Sequence, residues 1–297
     1  VSSRKVEVDG RLLSLSNLDK DLYPDFTKGE VIDYYARVAP VLLPHLKDRP
    51  ATRIRWPDGV RGGRFFEKNA PSHTPDWVRT ATIPTPGSST GRDTLDFVVV
   101  DDLPTLVWCA NLAALELHVP QWKVGPRGKV HDPDLVVFDL DPGAPATIVE
   151  ACEVAGLLRD LLAEDGLESY PKTSGKKGLH LYVPIKESGR TSDYAKAAAQ
   201  RLAEEHRDLI VAKMDKKLRT GKVFVDWSQN NPAKTTVAPY SLRAADSPSV
   251  STPLTWDELT SCGDAADLAF TPEEVLDRID EHGDLLGPLL GDRQALP

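Results

Sequence analysis

The chain has almost no cysteine: Cys109, Cys152 and Cys262 are three among 297 residues, far apart in sequence, two of them in apolar helical contexts. That excludes a disulfide frame and a cysteine-based zinc cluster. No run approaches the ~20 consecutive apolar residues that a membrane helix needs. The first residues, VSSRKVEVDGR, are too polar for a signal peptide. A cytoplasmic protein that meets no membrane is the expectation. There is no internal repeat, no low-complexity tract and no GxxxxGK[ST] phosphate loop. HRDL at 206–209 has neither GxGxxG before it nor DFG after it, so it does not mark a kinase.

Positive charge is also short. The net charge of −9 argues at first against a nucleic-acid partner. Its distribution argues the other way. From Asp246 onward there are 12 acidic and 2 basic residues, leaving 33 acidic against 34 basic before it. In a near-neutral body local clusters matter more than the total. Arg49, Arg53, Arg55, Arg61, Arg64 and Lys68 form one cluster, and Lys213, Lys216, Lys217, Arg219 and Lys222 another. Alone, each reads as a solvated face.

What is present is a globular chain, 40% hydrophobic and 27% charged. Thr27 to Glu30 matches a capping box, and Val31, Tyr34, Tyr35, Val38, Val41 and Leu42 follow at helical spacing, with Pro44 as the predicted end. Residues 51–57 and 64–68 read as strands, 84–93 as a Pro/Gly/Ser loop and 104–117 as a buried helix. Further helices are predicted over Pro145 to Glu164 and Ser192 to His206, a basic loop over 211–222, and a second capping box at Thr271–Glu274. That order predicts an α/β fold with mixed sheets flanked by helices. We divide it into an N-terminal lobe at about 1–125, a catalytic core at about 126–245 and a helical acidic tail at 246–297 packed on the rest.

The chemistry concentrates between Asp134 and Tyr182. DLVVFDLDPG is an apolar strand that ends on Asp139 and Asp141, which point to one face because side chains alternate along a strand. In YPKTSGKKGLHLYVP a turn carries Ser174, Gly175, two lysines and Gly178, with His180 just beyond. Consecutive N–H groups, small residues and positive charge are the parts of an anion-binding nest, a tight hairpin with exposed lysines being the alternative. Asp226, inside the apolar run KVFVDW, is the natural third acid; otherwise it is a salt-bridged sheet carboxylate. Three acids beside a phosphate-gripping turn point to metal-dependent phosphoryl or nucleotidyl transfer, with Mg²⁺ or Mn²⁺ as the oxygen-seeking cations. His118, before VPQW, is by itself a core histidine as readily as a ligand. Phe65 and Phe66 are either core or, by strand alternation, one outside and able to stack on a base.

DLDP, SGKKGLHLY and VFVDW, in this order, resemble the three motifs of the archaeo-eukaryotic primase superfamily. NLDKDLYP, TKGEVIDYY, FFEK, LELHVPQW and VFVDWSQN…KTTVAPYSLR are similar to the polymerase domain of bacterial end-joining DNA ligase D, over roughly residues 12–285. The resemblance implies a primase-polymerase that fills gaps and extends DNA ends, prefers ribonucleotides and uses two Mn²⁺ or Mg²⁺ ions on Asp139, Asp141 and Asp226. It implies that His118, Ser174, Lys177, His180, Lys234 and Arg243 hold the incoming NTP or dNTP. Asn17, Lys20 and Lys28 would bind the DNA 5′-phosphate across a gap. Phe65, Phe66, Arg53, Arg55 and Arg219 would contact template or DNA, Arg219 from a mobile basic loop. Ku and a DNA ligase are implied partners. The 84–96 loop is longer and more polar than the family's end-bridging segment, which puts end synapsis in question. No ligase or nuclease domain accompanies the motifs, as expected of an excised domain or a stand-alone relative. A phosphohydrolase with the same acids and a non-catalytic DNA-end binder are the rival readings.

Overall fold

The computed structural model describes residues 3–85 and 91–297. The centre of the predicted 84–93 loop, and with it the question of end synapsis, lies outside them. Two sheets carry the fold. The first runs Tyr170–Thr173, Leu179–Pro184, Leu135–Pro142, Val223–Asp226, Ile210–Val211, antiparallel throughout except for the last, parallel pair. The second runs Thr236–Val237, Ala114–Val119, Pro50–Arg55, Thr94–Val99, Thr80–Pro84 and is antiparallel, with Phe65–Glu67 adding to Pro50–Arg55. The predicted α/β class with mixed sheets is what the chain adopts.

Helices α1 (Lys28–Leu46) and α2 (Leu103–Asn111) pack on the second sheet, and α3 (Ile148–Glu164) and α4 (Thr191–Glu205) on the first. The capping box of Thr27 and Glu30 opens α1 as predicted, but α1 does not stop at Pro44. It carries Pro40 and Pro44 inside it, because its apolar stripe continues to Leu46, which is fully buried. The 104–117 helix is also corrected. Helix α2 ends at Asn111, Ala113 takes a left-handed φ of 59°, and Ala114–Val119 becomes a strand paired with Pro50–Arg55. An unbroken apolar run carries no period to separate helix from strand; pairing decides it.

The acidic tail packs on both lobes. Leu254, Leu259 and Leu268, around α5 (Trp256–Ser261), join the core under the first sheet, and Val275 and Leu276 of α6 (Pro272–His282) join the core of the second. The Arg37–Glu273 ion pair at 3.0 Å and the His45–Asp284 hydrogen bond at 2.8 Å fasten α6 and the segment after it to α1.

The strand Leu135–Pro142 divides its faces by alternation. Val136, Phe138 and Leu140 are fully buried against α3 and α4. Asp139 and Asp141 lie on the opposite face, which the helices leave uncovered. Strand Ala114–Val119 does the same, burying Leu115 and Leu117 in the helix layer while Glu116 and His118 face the cleft.

Candidate active site

Four neighbouring strands each contribute one residue to a single row. The pairs Lys172↔His180, His180↔Asp139 and Asp139↔Asp226 stand directly opposite one another, so all four side chains share a face. His180 Nε2 lies 3.3 Å from Asp139 Oδ1, and Lys172 Nζ lies 3.0 Å from His180 Nδ1. Gln229 Nε2 donates to Asp226 Oδ2 at 3.0 Å and reaches toward Asp139 Oδ2 at 3.5 Å. Asp226 Oδ1 accepts from the backbone N–H of Ser228 at 2.9 Å and from its hydroxyl.

The acids sit under electrostatic stress. Burial, and then the Asp226 carboxylate, push the Asp139 pKa up to about 7. Burial, then Asp139 and Asp226, push Asp141 up to about 7 as well. Such a cluster holds more negative charge than its surroundings neutralise, and a hard cation with oxygen ligands suits it. Among the described residues no three His, Cys, Asp or Glu side chains converge tightly enough to hold an ion as they stand. The Gln229 amide occupies the gap between Asp139 and Asp226, and a cation there requires it to swing aside. The donor set nevertheless fits Mg²⁺ or Mn²⁺.

The sign of the pH effect follows. Both pKa values lie above the ordinary 3.8, so the folded chain holds protons there that the unfolded chain has released. That contribution to stability is fully present below about pH 4 and is lost as pH rises through about 7. We expect Mn²⁺ to raise the melting temperature more at about pH 8 than at about pH 5.5, where protons compete for the same oxygens. Equal shifts at both pH values would place the ion elsewhere.

A cavity of about 340 Å³ adjoins the acids, lined by His118, Ser174, Lys176, Lys177, His180 and Arg243 among others. Five of the six expected nucleotide-binding residues therefore meet in one place. The sixth, Lys234, stands on the other side of the acids, with Nζ on Ser228 Oγ and 4.0 Å from Asp226. Glycines shape the hairpin turn. Gly175 takes φ 72° with Arg243 and Ser251 against it, and Gly178 lies flat on Leu140 O. The turn is only partly a nest, since the N–H groups of Lys176 and Gly178 already donate to Ser174 Oγ at 3.3 and 3.2 Å. Among the described residues this leaves the Ser174 hydroxyl proton for a ligand.

Sequence reading missed Glu116, Lys172 and Gln229 as site residues. Glu116 is the hub of the upper wall. It accepts from His118 at 2.8 Å and the Ala244 N–H at 3.0 Å, with Arg243 at 3.5 Å and Lys176 at 3.6 Å. Burial would raise its pKa, yet the His118 hydrogen bond and the Arg243 charge prevail and hold it near 2. Two-residue alternation with His118 would have exposed it, had 114–119 been read as a strand.

Arg53 and Arg55 are corrected. They stand on the helix-covered face of Pro50–Arg55, not on the open one. Arg53 is fully buried, its Cζ 5.7 Å from the Trp108 ring centroid, and Arg55 donates to Leu112 O at 2.6 Å and pairs with Glu67 at 2.5 Å. They brace the Phe65–Glu67 strand and spend their side chains on contacts within the fold. Phe65 and Phe66 are both exposed, because three residues at a sheet edge are covered on neither face. Only Phe66 lines a groove of about 1340 Å³ that also takes in Lys68, Arg92 and Trp122 and meets the acid-side cavity at Thr235. Arg219 lies 3.6 Å over the Phe224 ring, on the strand residue paired with Asp141. Its loop is stapled by Gly143 N to Lys222 O at 2.8 Å and Gly221 N to Gly143 O at 2.9 Å.

Asn17, Lys20 and Lys28 do come together: Lys20 N donates to Asn17 O and Lys28 N to Lys20 O. The helix N-terminus beside them is already filled. The N–H groups of Lys28, Gly29 and Glu30 are taken by Lys20 O, Leu18 O and Thr27 Oγ1. Lys28 is buried with Nζ on Ser16 O at 2.6 Å, and burial, then Lys20 and Arg55, pull its pKa down to about 8.

A mixed sheet with two acids on one strand, a third on the next and a basic hairpin turn beside them is the architecture of a primase-polymerase. Residues 27–286 match the family described as "LigD, primase-polymerase domain", and the chain belongs to that family. It is 47% identical over 285 residues to the multifunctional non-homologous end joining protein LigD of Mycolicibacterium smegmatis, covering 94% of this chain and 36% of that one. It is 35% identical to the bifunctional LigD of Bacillus subtilis, over 91% of this chain and 43% of that one. The chain thus spans well under half the length of these relatives. The polymerase domain of Mycobacterium tuberculosis ligase D, solved in complex with DNA, superposes with a TM-score of 0.88 at 46% identity, over 95% of this chain and 99% of that one.

Proposed function

We propose that the chain is a template-directed nucleotidyltransferase that fills gaps and extends broken DNA ends, preferring ribonucleotides. The observation that carries this reading is the acid row Asp139–Asp226, with Asp141, opening onto a cationic cavity that joins a long groove at Thr235. Small phosphoesters need no such track, which disfavours the phosphohydrolase. The three clustered acids disfavour a purely structural DNA-end binder. When bound at Asp139, Asp141 and Asp226, two divalent cations would lower the pKa of the attacking hydroxyl and neutralise the leaving group. Lys176, Lys177 and Arg243 supply positive charge for a triphosphate, Ser174 a hydroxyl donor, and Phe66 a ring on which a template base can stack. One assay separates the readings: a gapped, 5′-phosphorylated duplex with Mn²⁺ and labelled NTP. Extension supports the polymerase, phosphate release without extension the hydrolase, and a mobility shift alone the binder. Cytoplasmic action on the nucleoid, with Ku and a ligase as partners, belongs to the same proposal.

Sugar choice should reside in Ser174. Its oxygen is held by two N–H groups, so its proton is aimed and available for a ribose 2′-hydroxyl. Ser174→Ala is expected to narrow the NTP over dNTP preference about tenfold, the worth of one net hydrogen bond. An unchanged ratio in an active variant would move the discrimination elsewhere.

The 5′-phosphate pocket rests on Lys20 and Lys28. The Lys20–Asp58 pair, 2.8 Å and largely exposed, is weak enough to yield to a better anion. Buried Lys28 gains most from a phosphate monoester carrying about −1.5 to −2 charges. Lys20→Ala with Lys28→Ala is expected to erase the tighter binding of 5′-phosphorylated gaps and to leave hydroxyl-ended DNA nearly unchanged. Wild type binding both DNAs equally would remove the pocket.

A further inference from the structure

Arg243 reaches the cavity from a short support. Leu242–Arg243 is a two-residue strand in a two-stranded sheet with Ser249–Val250, and so small a ladder has little stiffness of its own. A guanidinium serves a ligand well only when its side chain is fixed along its length. The middle is confined by Gly175, which packs against Arg243 Cγ. The head lies 3.5 Å from Glu116 Oε2. The root is held from 220 positions away, by the Tyr23 hydroxyl on Arg243 O at 3.0 Å. A carbonyl only accepts, so Tyr23 is the donor. Burial, and then Tyr35 and Glu116, push the Tyr23 pKa well above the ordinary 10.0, so the hydroxyl keeps its proton.

We propose that Tyr23 is a positioning residue for the nucleotide site, its hydroxyl pinning the Arg243 main chain so that the guanidinium stays aimed at a triphosphate. Tyr23 is fully buried and does not line the cavity, so it reaches a ligand only through Arg243. Its ring packs edge-on against Phe26, 5.9 Å between centroids, in the short hairpin of Asp21–Tyr23 with Phe26–Thr27. Phenylalanine would keep that packing, so what the hydroxyl adds is the one bond to Arg243. Tyr34, in the same core, supplies a comparison. Its hydroxyl donates to Tyr240 O at 2.8 Å, three residues before Arg243. Tyr240 is tied twice more, by its own hydroxyl to Asp284 Oδ1 at 2.6 Å and by its N–H to Ser251 O at 2.8 Å. Loss of the Tyr34 hydroxyl therefore costs stability without releasing Arg243. The consequence for binding rests on the reading of the cavity as a triphosphate site; the hold on Arg243 does not.

The test compares Tyr23→Phe with Tyr34→Phe in the full chain, each losing one buried hydroxyl-to-carbonyl bond. Arg243 Nε is buried and meets no acceptor among the described residues, so its N–H is a sensitive reporter. In metal-free protein with ¹⁵N-labelled arginine, its NMR signal is assigned by its loss in Arg243→Lys. Tyr23→Phe is expected to shift and broaden that signal, and Tyr34→Phe to leave it in place. An unmoved signal in Tyr23→Phe overturns the proposal. So does a Tyr23→Phe chain that does not fold, since the hydroxyl would then belong to the core. A non-hydrolysable nucleoside triphosphate is next titrated with Mn²⁺ into wild type and both variants. Tyr23→Phe is expected to bind it about tenfold more weakly, the worth of one hydrogen bond from Arg243 to a phosphate oxygen. Extension on the gapped duplex should show the same rise in KM for NTP with kcat within a few-fold, the mark of lost ground-state binding. Tyr34→Phe is expected to keep the wild-type KM at a similar loss of melting temperature. Wild-type affinity in a Tyr23→Phe protein whose signal has moved would overturn the role in binding, and so would equal losses in the two variants. Wild type that binds no triphosphate would sink the nucleotide reading, and the Arg243 signal would still decide the hold.

Discussion

Asp139→Asn and Asp226→Asn are expected to lose primer extension by at least about a thousandfold, while gapped DNA binds within a few-fold of wild type. Several kcal/mol of charge stabilisation are made only in the transition state, at about 1.4 kcal/mol per decade of rate. DNA affinity comes mainly from phosphate contacts spread along the surface, which these substitutions leave alone. Asparagine is preferable to alanine because Asp226 has a second task. Its Oδ1 accepts from Ser228 N–H and so caps the turn that carries Gln229 and Asn230. The Asn230 amide in turn bonds the backbone of Val137 on the carboxylate strand, at 2.9 and 2.7 Å. Alanine would mix loss of charge with loss of that brace. Extension is to be measured in single turnover with Mn²⁺ beside fluorescence anisotropy on the same gapped duplex. Near-normal extension by Asp226→Asn would remove it from the catalytic centre. A parallel collapse of DNA binding would mean that the acids organise the cleft instead.

The acid pair was legible because it rests on two local rules that need no partner. Strand alternation puts Asp139 and Asp141 on one face, and an apolar run marks Asp226 as unusual. Capping boxes at Thr27 and Thr271 were legible for the same reason, since their hydrogen bonds close within four residues. Failures came where a distant segment decides. Ala114–Val119 is a strand only because Pro50–Arg55 lies beside it, and Glu116 and the face of Arg53 and Arg55 follow from that pairing. Lys172 carries no signal in the sequence, and its burial appears only when the Ser249–Val250 strand brings Ser251 over it. Five of the six residues that the resemblance grouped do line one cavity. The resemblance carried no information on which of those side chains are already engaged.

Gly178→Ala is expected to destabilise the chain by about 3 kcal/mol, the upper end of the usual cost of overpacking. A Cβ at Gly178 would stand 2.1 Å from Leu140 O and 3.1 Å from Leu140 C. The obstacle is backbone on the central strand, so no rotamer change relieves it. Gly175 differs: its added Cβ meets Arg243 Cγ at 2.4 Å, the middle of a side chain, although its φ of 72° adds strain of its own. To make room at Gly178 the hairpin strand must move off Leu135–Pro142 where Leu179 pairs with Leu140 and His180 with Asp139. The same shift pulls His180 Nε2 away from the 3.3 Å contact with Asp139, so stability and extension should fall together. For a chain of this length the stability loss corresponds to a drop in melting temperature of roughly 5 °C. Gly156→Ala is the internal control. It lies in α3 with nothing within 4 Å of its would-be Cβ, and it is expected to gain about 0.5–1 kcal/mol from reduced backbone freedom. A Gly178→Ala protein that melts with wild type would show that the turn and the acid strand are not in contact. A Gly178→Ala protein that melts early yet extends primers normally would show that the register of His180 on Asp139 is dispensable for chemistry.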